Sequence, residues 1–164
     1  MMTKPKTTIC CGNKEIKVHK NIIAIALPVF AAMFESHTEE FKEGRVDIKD
    51  FDFETVKVAV DLMYTRKIPD ELSLDCLLNL YKFADKYDLI DTETVFEQLM
   101  EKISLNTILE ISKFSKLNLM DKLYEECVDF YADDFEENTQ KIDNFQQLDP
   151  QFVMDAANRK YRST

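Results

Sequence analysis

Residues 18–48 constrain this chain more than any other stretch, because an apolar run from Asn21 to Phe34 is broken once, by Pro28. Proline lacks an N–H and fits only the first turn of a helix, so the run divides into one helix over about 21–27 and a second over 28–34. Residues 35–44 follow with four Glu beside Thr38 and Phe41. That composition cannot bury itself and reads as a surface loop ending at the hinge Gly44. Arg45-Val46-Asp47-Ile48 then alternates, which sends Val46 and Ile48 to one face of a short strand.

Upstream, residues 7–11 and 15–18 are short β-branched or alternating runs around Gly12-Asn13, a pair suited to a hairpin turn. Ile16 and Val18 share one face of the second run, so the core lies beneath them. Downstream the pattern is helical. Asp50 or Asp52 can cap a helix bearing Phe53, Val56, Val60 and Met63, which ends near Ile68-Pro69. Ser73 can cap a helix with Leu74, Leu77, Leu78 and Tyr81, and Asp91 another with Val95, Phe96, Leu99, Met100 and Ile103. A poorly periodic segment runs from Asn106 to about Lys116, and Met120, Leu123, Tyr124, Cys127 and Tyr131 then restore a clean stripe. The acidic run 133–138 should close that helix in solvent. Asp149-Pro150 supplies a cap and first-turn proline for a short helix with Phe152, Val153, Ala156 and Ala157. With 2 Gly and 4 Pro in 164 residues, turn chemistry is too scarce for a many-stranded fold. The expected class is α+β, mostly helical, with a small sheet of about three short strands and helical hairpins.

Chemistry is conspicuous by what is missing. Two glycines allow no phosphate-cradling loop. There is no G-x-S-x-G elbow and no H-E-x-x-H helix, and His19 and His37 have no nearby nucleophile in a known context. His19 reads as a hydrogen-bonded structural imidazole, and His37 as solvated among acids. Cys10, Cys11, Cys76 and Cys127 show neither a C-x-x-C pair nor zinc-finger spacing, so they read as reduced core residues. We expect no enzyme, no cofactor and no metal. A net charge of −10 without a basic stripe argues against nucleic acid. The longest nearly uncharged run is too short to span a membrane. The expectation is a soluble intracellular protein, cytoplasmic, nuclear or both. Ile22, Ile23 and Ile25 cover nearly every side of one short helix, so it is either deeply buried or meets another chain.

Val18-His19-Lys20, Pro28-Val29-Phe30 and Met33-Phe34-Glu35, in that order, resemble the signature of BTB (POZ) domains, specifically those of speckle-type POZ and nematode MATH-BTB proteins. Residues 45–48, Tyr64-Thr65, Ala84-Asp85-Lys86-Tyr87 with Leu89, and Val128-Asp129-Phe130 extend the likeness. It covers about 6–134 as a BTB/POZ domain. The remainder, 135–164, resembles in its Asp149-Pro150 helix the 3-box that follows the domain in those proteins. A more distant likeness, in length and charge, is to the short acidic adaptor of SCF ligases; Val18-His19-Lys20 argues against it.

This resemblance implies a protein-interaction adaptor that docks the cullin-3 N-terminal region in a ubiquitin ligase complex and pairs with itself or other BTB proteins. Carried over by position, cullin contact falls on Thr38, Glu39 and Glu40, on Leu117, Asn118 and Leu119, and near Phe145 and Phe152; dimer contact falls on Ile22 and Ile25. Thr38 stands where the family has a large apolar residue, which removes an anchor of about 1.5–3 kcal/mol. Phe41, one residue past the motif, is positioned either to replace that anchor or to pack the loop. The alternative implied role is a BTB dimerisation scaffold without ligase binding.

Overall fold

The computed structural model describes residues 7–29 and 44–162. The rest of the helix expected over 28–34 and the expected Glu-rich loop, with His37, Thr38, Glu39, Glu40 and Phe41, lie outside them. The chain divides into two compact units, Met1–Phe96 and Glu97–Thr164.

In the first unit, β1 (Thr7–Cys11) pairs antiparallel with β2 (Lys14–Val18), placing Ile9 opposite Ile16. Gly12 adopts φ +63° in the connecting turn, a conformation open to glycine at little cost. β3 (Arg45–Asp47) lies on the other side of β1, parallel to it, with Val46 opposite Ile9. The order β2-β1-β3 makes β1 the middle strand. Ile9, Val18, Val46 and Ile48 are buried and Ile16 half-buried, as alternation requires.

α1 (Lys20–Ala26) follows β2 directly, and Pro28 opens the next helical turn. Its junction is fixed by Tyr64, whose hydroxyl lies 2.8 Å from the His19 backbone nitrogen, as acceptor, and 2.9 Å from the ring Nδ1. His19 is therefore engaged structurally. α2 (Phe53–Thr65) is capped by the Asp52 carboxylate, which accepts from the Thr55 N–H at 2.9 Å. α3 (Leu74–Tyr87) is capped by Ser73 Oγ, which accepts from the Cys76 N–H at 3.1 Å. The two helices pack together, and Val56, Ala59, Leu77 and Phe83 on them are buried. Asp91 departs from the capping role expected of it: the Arg66 guanidinium holds its carboxylate bidentately, at 2.6 and 2.8 Å. The unit boundary falls within α4 (Thr92–Lys102).

The second unit contains α5 (Ile108–Leu117), α6 (Asp121–Asp133), α7 (Phe135–Lys141), a 3-10 turn (Phe145–Gln147) and α8 (Pro150–Arg162). Leu123, Cys127, Tyr131, Phe152 and Ala156 form its core. The acidic run does not merely end α6 in solvent. It forms α7, because Asn138 is buried and its Nδ2 donates to the Tyr131 carbonyl at 3.1 Å, while Phe135 packs edge-on against Tyr131 at 5.6 Å. The helix opened by Pro150 is also longer than expected, at 13 residues. The Arg159 guanidinium secures its second half to Glu125 and Asp129 of α6.

Candidate interaction surfaces

A burial test separates the three isoleucines of α1. Ile23 is fully buried, Ile22 is half-buried and Ile25 is 66% exposed. At 100° per residue Ile25 lies about 160° around the helix from Ile23, so packing against one side leaves it in water. Val29 is 40% exposed just beyond, and Ile90, 43% exposed, donates its N–H to the Ala26 carbonyl at the same helix end. The first unit thus presents apolar side chains around the end of α1, at and beside the expected dimer residues Ile22 and Ile25.

The second surface begins at the α5–α6 joint. α5 ends at Leu117; the Asn118 side chain folds back to donate to the Phe114 carbonyl at 2.8 Å, and Leu119 takes φ 55°. A branched side chain in the left-handed region costs on the order of 1 kcal/mol. Leu117 and Leu119 are 73% and 85% exposed. Two leucines held out of the core on a strained joint are apolar surface available to a partner.

Beside this joint lies a cavity of about 940 Å³ between α5, α6, the 3-10 turn and α8, with Leu109, Lys113, Leu117, Tyr124 and Phe152 among its walls. Phe152, expected at a partner contact, is 1% exposed. Its ring stands edge-on to Tyr124 at 5.9 Å and Tyr131 at 5.7 Å, so it backs the cavity wall and is not free surface. Phe145 is half-buried on the 3-10 turn. Sequence reasoning missed Leu109, Lys113 and Tyr124 as cavity walls. The signal was present: 109, 113 and 116 recur at helical spacing on one side of α5, while Ile108, Ile111 and Ser115 are buried on another. Two superposed stripes make a segment look aperiodic.

Electrostatics hold the cavity's frame. Lys116 Nζ donates to Asp149 Oδ2 at 2.6 Å, and Asp149 Oδ1 accepts the Gln151 N–H at 3.2 Å. The Lys116 hydrogen bond and then that N–H hold the Asp149 carboxyl below its ordinary range. Tyr124 donates its hydroxyl to Asp155 at 2.5 Å, and burial, then that bond, push the phenol well above its ordinary value. The Cys127 thiol is pushed up to about 12 by burial, which leaves it unreactive at neutral pH. All four cysteines are free. Among the described residues no cluster of three or more His, Cys, Asp or Glu is placed to hold a metal, and no helix is long and apolar enough to cross a membrane.

Comparison with known proteins follows the same lines. A family model described as the BTB/POZ domain matches residues 5–104. TD and POZ domain-containing protein 3 of Mus musculus is 32% identical over 129 residues, covering 76% of this chain and 35% of that relative. The chain therefore spans about a third of the length of this relative. Among solved structures, the BTB domain of zebrafish PATZ1 aligns with a TM-score of 0.50 at 15% identity, over 60% of this chain and 76% of that one, a likeness of fold alone.

Proposed function

The chain belongs to the BTB/POZ family of protein-interaction domains, and from that membership we propose that it is an adaptor docking the cullin-3 N-terminal region in a ubiquitin ligase complex. The observation that carries this reading is the exposure of Leu117 and Leu119, at 73% and 85%, on the joint where the family resemblance puts one cullin contact. Thr38, Glu39, Glu40 and Phe41 form the other contact in this reading. Residues 135–164 act as a 3-box-like extension of the 6–134 domain, with Phe145 at the surface and Phe152 supporting it from within. The adaptor itself performs no catalysis, and works in the cytoplasm, the nucleus or both. Calorimetry with a cullin-3 N-terminal fragment tests it: micromolar or tighter binding is expected, and no binding at all removes the ligase role.

A second reading rests on Ile25. Its 66% exposure, beside Val29 and Ile90, supports a BTB scaffold that pairs with itself or with other BTB chains whether or not cullin is present. Sedimentation velocity separates this scaffold from a monomer, and the cullin titration separates it from the first reading: a scaffold sediments as a dimer and shows no cullin binding.

A further inference from the structure

We propose that the Arg66–Asp91 ion pair is a positioning device for Ile90, which it holds out as part of the surface that pairs with a second copy of this chain. The inference rests on the self-pairing reading drawn from Ile25. To that reading it adds a residue outside α1 and the pair that places it.

The segment 88–92 is stitched to the ends of three helices. Asp88 ends α3 in the left-handed region, at φ 55°, and the Leu89 N–H donates to the Ala84 carbonyl at 3.0 Å. The Ile90 N–H donates to the Ala26 carbonyl at the end of α1, also at 3.0 Å. Arg66, the residue that ends α2, makes the third tie by holding Asp91 at 2.6 and 2.8 Å. Leu89 is buried, and the Asp91 side chain is only 12% exposed. With both neighbours fixed inward, Ile90 is left facing solvent, and its tie to Ala26 keeps it at the end of α1.

Arg66 stands at φ 59°, a conformation that glycine accepts with less strain. What arginine brings to that position is its planar guanidinium fork, which fixes a carboxylate in direction as well as distance. The pair also neutralises Asp91, the carboxylate next to Ile90 in the chain. A second copy fits this surface better than a charged partner does. Ile25, Val29 and Ile90 are aliphatic, and a two-fold contact sets a patch against itself, which apolar side chains satisfy and unpaired carboxylates do not.

Sedimentation equilibrium of the full chain tests it, with urea unfolding to confirm that each variant is folded. Ile90→Ala and Arg66→Gly, the latter suited to φ 59°, should each weaken the dimer about tenfold. Arg66→Gly combined with Asp91→Asn leaves no unpaired carboxylate and should weaken the dimer as much as Arg66→Gly alone. In an Ile90→Ala background Arg66→Gly should add nothing, because it acts through Ile90. A monomeric parent overturns the self-pairing reading and this inference together. A parent dimer that Ile25→Asp dissociates, but that Ile90→Ala or Arg66→Gly leaves intact, overturns this inference alone. Recovery of the dimer on adding Asp91→Asn does the same, since Arg66 would then act only by cancelling charge. So do additive losses in the Ile90→Ala background, the result that a merely stabilising ion pair gives.

Discussion

In the first unit the exposed aliphatic side chains Ile25, Val29 and Ile90 stand on and beside a short helix; in the second the two most exposed, Leu117 and Leu119, stand at a joint between two longer ones. α1 has seven residues and three isoleucines, more apolar surface than one contact side can cover, and Ile25 is the excess. α5 and α6 bury Ile108, Ile111, Leu123, Cys127 and Tyr131, and the exposed leucines stand at the end of α5 and in the connection, where Leu119 adopts a left-handed conformation that leucine does not favour. Excess on a regular element suits a flat, symmetric contact. Strain at a joint beside a concavity suits a partner that inserts a side chain.

Five substitutions break or sharpen that contrast. Phe152→Ala should cost about 3–5 kcal/mol of unfolding free energy in urea, because the ring is buried between Tyr124 and Tyr131; a loss below about 1 kcal/mol would mean α8 does not depend on it. Leu119→Asp should weaken cullin-3 binding about tenfold by calorimetry while leaving stability nearly intact. Leu119→Gly should weaken it similarly and hold or raise stability, since glycine accepts φ 55° readily. Equal binding by both variants and the parent would remove the joint from the contact.

Asp52→Ala should cost about 1 kcal/mol at pH 7 through loss of the α2 cap. The hydrogen bond to Thr55 lowers the Asp52 pKa, so its contribution is present above the ordinary carboxylate range and fades as pH falls through the lowered folded value. Parent and variant should therefore converge in acid, and a constant gap down to low pH would argue against the cap as the cause. Ile25→Asp should change unfolding free energy least, by about 0.5 kcal/mol or less, because the side chain is already in water. Its effect should appear in sedimentation instead, as loss of a dimer formed by the parent.

Legibility followed the range of the interactions involved. Ser73 was readable as a cap, and Asp52 as one of two acids offered for the role beside Asp50, because each acts within three residues of itself. The hairpin was readable because Gly12 supplies the turn and alternation marks the buried face. Asp91 misled for the opposite reason: its partner Arg66 is 25 residues away, and no local rule announces it. The acidic run misled because Asn138 finds its acceptor on Tyr131, in the preceding helix. The exposed joint at residues 117–119 was reached only through family resemblance, since two leucines near a helix end look like core.

The sequence by itself determined the hairpin turn and the starts of α2 and α3, since glycine and capping side chains act on a backbone they touch. Only the tertiary structure decided which of several apolar faces is hidden: Ile23 over Ile25, Phe152 inside α8, and one side of α5 left beside a cavity. Burial depends on what distant segments bring to a surface, and the α5 and α8 walls of that cavity meet at Lys116 and Asp149, 33 residues apart in the chain.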